Sequence, residues 1–110
     1  MLDKSLDNNY IIIINNMTFE WDKEKAKSNL KKHSVDFESA AEVFSDENAL
    51  MIPDPDHSEK EERFIMIGSS SRLNCLTVCH CYRDNETVIR IISARKATKN
   101  ESKEYAKALT

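Results

Sequence analysis

Arg90-Ile91-Ile92-Ser93-Ala94-Arg95-Lys96-Ala97-Thr98-Lys99-Asn100-Glu101 reads as a strand that turns directly into a capped helix. Thr98 and Glu101 form the S/T-x-x-E capping box of a helix start. The strand delivers Arg90 and Arg95 on a stiff element, and Lys96, Lys99 and Lys103 follow on its end and on the helix. Guanidinium groups on a strand, followed by a cationic helix, are suited to gripping a phosphodiester backbone.

Upstream of this stretch, residues 63–68 and 73–82 read as strands, with 87–95 as the third. Their connections are Ser69-Ser70-Ser71-Arg72 and a tight turn at Asp84-Asn85. The three predict an antiparallel meander. Residues 18–21 alternate polar and aromatic, as a short strand does. Asp22 is a good N-cap for a helix to about His33, with Ala26, Asn29, Leu30 and His33 on one stripe. Lys23, Lys27 and Lys31 lie opposite, with Lys25 and Lys32 on the flanks. A second helix starts at Asp36 and points Phe37, Ala40, Ala41 and Phe44 inward. Residues 49–52 form a short apolar strand, and 53–62 a polar loop stiffened by Pro53 and Pro55. The last helix runs to about Ala108, with Tyr105, Ala108 and Leu109 as its apolar face. This order predicts a two-layer α+β domain, with helices on one face of a mainly antiparallel sheet. Residues 17–110 read as that single domain. Residues 1–16 are a poorly patterned N-terminal extension, either an extra edge strand or a sticky tail.

A chain of 110 residues has room for one domain, and 40% hydrophobic with 32% charged residues describes a soluble folded protein. The apolar run at 10–14 is too short to span a bilayer and lacks signal-peptide flanks, so no membrane partner and a cytoplasmic location are expected. Three cysteines without framework spacing agree with a reducing compartment. The net charge of -3 hides an asymmetry. Residues 1–62 hold 7 Lys and Arg against 15 Asp and Glu, a balance of -8, whereas residues 63–110 hold 9 against 4, a balance of +5. Either one part of the surface meets an anion such as nucleic acid, or the split merely reflects solvated helices and an acidic loop. A single glycine excludes the glycine-rich phosphate, dinucleotide and nucleophile-elbow motifs.

Arg63 opens a strand, and Arg83 and Arg95 end strands. In a meander they can converge, and convergent guanidiniums could hold a scissile phosphate and offset the charge of a pentavalent phosphorane. The alternative is that each merely flanks a strand in solvent, which is the better reading for Arg72. His33 sits at a helix C-terminus, which favours its cation. It is either an acid or phosphate contact, or a capping histidine with its ring on the core. His80 alternates with Cys79 and Cys81 and faces the other side of the sheet, either as an acid/base group or, the preferred reading, as a satisfied half-buried side chain. His57, in the acidic loop, is either a mobile acid/base group or an ordinary loop histidine. Cys75, Cys79 and Cys81 lack zinc spacing and the 54–59 loop lacks the calcium pattern, so no metal and no cofactor are expected.

The chain resembles the BrnT family of toxins from residue 18 to about 105. The resemblance is carried by Phe19-Glu-Trp21-Asp22, Lys25 to Asn29, Lys32-His33-x-Val35-x-Phe37-Glu-x-Ala40, Ala41-x-Val43-Phe44 and Asp54-x-Asp56-His57. It continues through Glu62-Arg63-Phe64-Ile65-x-Ile67-Gly68, His80-x-Tyr82-Arg83 and Ile89-Arg90-Ile-Ile-Ser-Ala-Arg95-Lys-Ala97-x-x-x-Glu101. The resemblance implies a RelE-like fold and an endoribonuclease that degrades RNA and blocks translation; with no metal site expected, the leading reading is a metal-independent enzyme. It also implies a cognate ribbon-helix-helix antitoxin, with operator DNA met only through that antitoxin. By motif it assigns His33, Arg63, Arg83 and Arg95 to the catalytic site. Lys25 lies nearby; Arg90, Lys96, Lys99 and Lys103 line the RNA path, and His57 and His80 stand in reserve as acid or base. A non-catalytic module that binds an antitoxin in a repressor complex is the alternative. The family's glycine after Lys-His is Ser34 here, a strained choice if the site needs positive φ. The acidic overall balance means that any RNA contact relies on a local basic patch.

Overall fold

Asn15 and Asn16 adopt φ of 51° and 66° and turn the chain back on itself. The isoleucine run therefore becomes β1 (Asn9–Ile14), an edge strand antiparallel to β2 (Met17–Asp22), with Tyr10 stacked on Trp21 at 5.1 Å. The computed structural model describes residues 8–56 and 61–109. After β2 come α1 (Lys23–His33), α2 (Phe37–Glu42), β3 (Leu50–Pro53), β4 (Phe64–Ser69), β5 (Cys75–Arg83), β6 (Val88–Lys96) and α3 (Lys99–Ala108). The six strands form one sheet in the order β1-β2-β6-β5-β4-β3. Every pairing is antiparallel except β2 with β6. The chain is thus α+β with a mainly antiparallel sheet, and the meander of β4, β5 and β6 lies where its sequence pattern puts it.

Apolar alternation drives α1 and α2 onto one face. Phe19, Trp21, Leu76, Val78 and Ile91 project from the sheet and meet Val35, Phe37, Ala40 and Ala41 in a single core. Phe37 packs edge-on against Trp21, with ring centres 5.7 Å apart. Asp22 caps α1 by accepting from the Glu24 N–H at 2.8 Å. Ser34 closes the helix in the left-handed region at φ 60°, its N–H donating to the Leu30 carbonyl. The inward stripe of α1 departs from the predicted one at Leu30, which is 50% exposed, whereas Asn29 is buried at 7% exposure as read. The Asn29 amide explains this. It donates to the carbonyls of Val35 and Ala94 at 2.9 and 2.8 Å and accepts from the Ala94 N–H at 3.0 Å. A polar side chain is sheltered here because it satisfies three backbone groups at once.

The capping box of α3 forms as read, with Thr98 and Glu101 bonding reciprocally. Tyr105 on α3 donates its hydroxyl to Asp46, which also accepts from the Ser69 N–H at 2.8 Å, so one carboxylate ties α3 to the end of β4. Gly68 lies beneath this junction, where a Cβ would come within 2.9 Å of Val43 and 3.0 Å of Ala49.

One irregularity organises the rest. Cys79 lies opposite Ser93, but His80 lies opposite Ile91, which leaves Ile92 as an extra residue in β6. A bulge of this kind shifts the side-chain alternation by one. Ile89 and Ile91 face the core before it and Ala94 after it. Arg90 and Arg95, five residues apart, would point to opposite faces of a regular strand. The bulge turns both away from the core. Among the described residues, no helix is long and apolar enough to cross a membrane.

Candidate functional site

The sheet face turned away from α1 and α2 collects arginines. In β5, Thr77, Cys79, Cys81 and Arg83 alternate with the core residues Leu76 and Val78 and so occupy this face. Arg95 lies opposite Thr77 and Arg90 opposite Cys81. Arg63 directly precedes β4, whose Ile65 lies opposite Cys79. Residues from three strands, far apart in the chain, are thereby brought to one surface.

Arg63 and Arg95 line the same groove, a space of about 300 Å³ whose walls include Asp54, Asp56, Thr77 and Cys79. Their states differ. The Arg63 Nε is buried and has no hydrogen-bond acceptor among the described residues. A buried donor without a partner costs about 1–3 kcal/mol. Arg95 is engaged in a two-pronged pair with Glu101, at 2.8 and 3.0 Å. Glu101 also accepts from the Thr77 hydroxyl and the Thr98 N–H, both at 2.8 Å. The Arg95 hydrogen bonds and these two donors hold the Glu101 carboxyl down to about 2. The same bonds raise the Arg95 pKa above its ordinary value.

Arg90 is tied to Glu20 at 2.7 Å and to the Asn9 side chain at 3.2 Å. Arg83 lines a neighbouring recess rather than the groove, together with Met51, Glu61, Glu62, Phe64, Cys81, Tyr82 and Glu86. It faces Glu61 across 3.6 Å. Arg72 sits elsewhere, paired at 3.3 Å with Asp36, the N-cap of α2.

The thiols on this face are quiet. Burial pushes Cys79 up to about 11, and its Sγ donates to Asp54 at 3.4 Å. Burial likewise raises Cys75 and Cys81. Protonated thiols of this kind are poor nucleophiles.

Neither of the two described histidines joins the arginines. His80 is fully enclosed on the core side, among the rings of Phe44, Phe64 and Tyr82, with Nε2 3.3 Å from the Tyr82 hydroxyl. Its burial lowers its pKa to about 4, so it is neutral at pH 7 and has no surface to offer a ligand. His33 is the half-buried last residue of α1, in the helix layer. His57 lies outside the described residues. Lys25 is exposed on α1, Lys96 at the end of β6, and Lys99 and Lys103 on α3.

Sequence reading missed two features of the face. The first is the set of carboxylate partners, Glu20, Glu61 and Glu101. Only Glu101 carried a signal, and that signal spoke of capping. The second is the bulge, whose trace is the doublet Ile91-Ile92 interrupting an otherwise alternating strand.

Residues 21–101 match the family model described as the ribonuclease toxin BrnT of type II toxin–antitoxin systems, well over half of the chain. The fold is similar to the crystal structure of the Brucella abortus ribonuclease toxin BrnT. The TM-score is 0.52 at 23% sequence identity, covering 72% of this chain and 94% of that one. No curated protein sequence matches significantly. At that identity the structural likeness speaks for the fold, and the family match decides membership: the chain belongs to the BrnT ribonuclease toxins of type II toxin–antitoxin systems.

Proposed function

We propose that the protein is a metal-independent endoribonuclease that inhibits translation by cleaving RNA. A type II toxin has an antitoxin partner; in our reading that partner is a ribbon-helix-helix protein, and the toxin meets operator DNA only through it. The observation that carries the enzymatic reading is Arg63: a guanidinium in a groove, its buried Nε without an acceptor among the described residues. Metal-free RNA cleavage needs cations where negative charge grows as the 2′-hydroxyl attacks phosphorus. In this reading Arg63 holds the scissile phosphate. Arg95, oriented by Glu101, forms the adjoining wall, and Arg83 serves a flanking nucleotide. Lys96, Lys99 and Lys103 guide the backbone. With His80 enclosed and His33 in the helix layer on the other side of the sheet, acid–base work at the groove falls to His57, which follows the groove residue Asp56 in the chain.

A second reading is a non-catalytic module that engages the antitoxin in an operon-repressing complex. It is favoured by the carboxylates that already occupy Arg83, Arg90 and Arg95. Incubation of the pure protein with RNA in EDTA separates the two. Cleavage that persists in EDTA and is lost in His57→Ala but not in His33→Ala supports the enzyme and identifies its histidine. RNA binding without cleavage supports the module, and cleavage abolished by EDTA removes the metal-independent mechanism.

A further inference from the structure

We infer that the recess holding Arg83 is a base-reading subsite for a guanine nucleotide of the RNA strand, an inference that rests on the endoribonuclease reading above. The recess has a volume of about 630 Å³, within the range of small-molecule sites and about twice that of the groove beside it. Phe64 and Tyr82, both half-buried, form part of its wall, with ring centres 5.6 Å apart. Aromatic walls of this kind are what single-stranded bases stack on, at about 1–3 kcal/mol per base.

The charges select the base. One cation, Arg83, stands among three carboxylates, Glu61, Glu62 and Glu86. Such a recess repels a phosphate but accepts hydrogen bonds from N–H donors. Guanine is the RNA base with two adjacent donors, N1–H and the 2-amino group, which match the two oxygens of one carboxylate. Its O6 and N7 match a guanidinium fork. Adenine and cytosine each offer one amino group, and uracil a single N–H. Arg83 can turn to a base at small cost, because its pair with Glu61 is long and its side chain is 47% exposed. The recess wraps the end of the sheet: Phe64 and Tyr82 stand on the His80 side, whereas Cys81 and Arg83 continue the face that carries Cys79 of the groove. A guanine held here leaves its neighbouring phosphate on the Arg63 side.

The test titrates the wild-type protein with guanosine, adenosine, cytidine and uridine 5′-monophosphates, followed by amide shifts in NMR, and maps cleavage sites on mixed-sequence RNA. The phosphate is common to all four, so affinity differences report the base. The guanine nucleotide binds at least about tenfold more tightly than the others, in line with one bidentate contact. Glu62→Gln, an exposed substitution, removes most of that advantage and leaves the adenine nucleotide unaffected. Tyr82→Leu weakens all four alike. Cleavage sites fall beside guanines, and Arg63→Ala keeps the guanine preference in binding. Equal affinity for the four nucleotides, or cleavage indifferent to guanine, overturns the subsite and leaves the nuclease reading standing. A guanine preference with no cleavage of any RNA upholds the subsite and rejects the nuclease reading.

Discussion

The Arg63 guanidinium lines the groove, and nothing among the described residues satisfies its buried Nε. Arg95 is the contrast: two forked bonds to Glu101 make it a fixed wall rather than a waiting donor. The arginines were visible in the sequence as strand-end cations, but the partners of Arg83 and Arg90 were not, because a carboxylate 22 or 70 residues away leaves no local trace. His80 was legible further than the arginines. Its alternation with Cys79 and Cys81 put it on the other sheet face, and there it lies, held neutral by burial. This has a consequence for pH. The pKa of the folded state, about 4, is below the ordinary 6.5, so the unfolded chain takes up the proton first. Stability from this site is complete above pH 6.5 and is lost as pH falls toward 4. Urea midpoints between pH 7 and 5 should fall for the wild type. In His80→Phe, which suits the surrounding rings, that slope should flatten.

The helices and strands were largely readable because their signals are local: Asp22, Asp36 and Thr98 cap as their types require. Alternation located the meander. What escaped was pairing register, which no single strand specifies. The extra Ile92 is the clearest case, since it alone puts Arg90 and Arg95 on one side. In α1 the reading put Asn29 and Leu30 on one inward stripe; the Asn29 amide does go inward, because Ala94 and Val35 need it, while Leu30 is half exposed. Asn29→Ala would leave those backbone groups buried without partners, and we expect a loss of about 3 kcal/mol in denaturant unfolding. Just beyond it, Ser34 holds φ at 60°, a conformation that costs a residue with a Cβ about 1 kcal/mol or more. Ser34→Gly should raise the thermal midpoint, as expected for a left-handed helix cap that suits glycine.

For the molecule as a whole, net charge is a poor guide to what it meets. The chain is acidic at -3, yet one sheet face gathers Arg63 from the start of β4, Arg83 from β5, and Arg90 and Arg95 from β6. Acidic residues accompany them at nearly every position, which keeps the free protein from presenting a bare cationic patch. Arg63 shares its groove with Asp54 and Asp56, but its buried Nε has no acceptor among the described residues, and the proposed chemistry turns on it. The most direct measurement is the rate of RNA cleavage by purified Arg63→Ala beside the wild type, with thermal midpoints recorded on the same samples. Loss of one transition-state cation should lower the rate by about 10²–10³-fold while the midpoint holds or rises, since an unsatisfied buried donor has been removed. A variant that folds normally and cleaves at the wild-type rate would contradict the account.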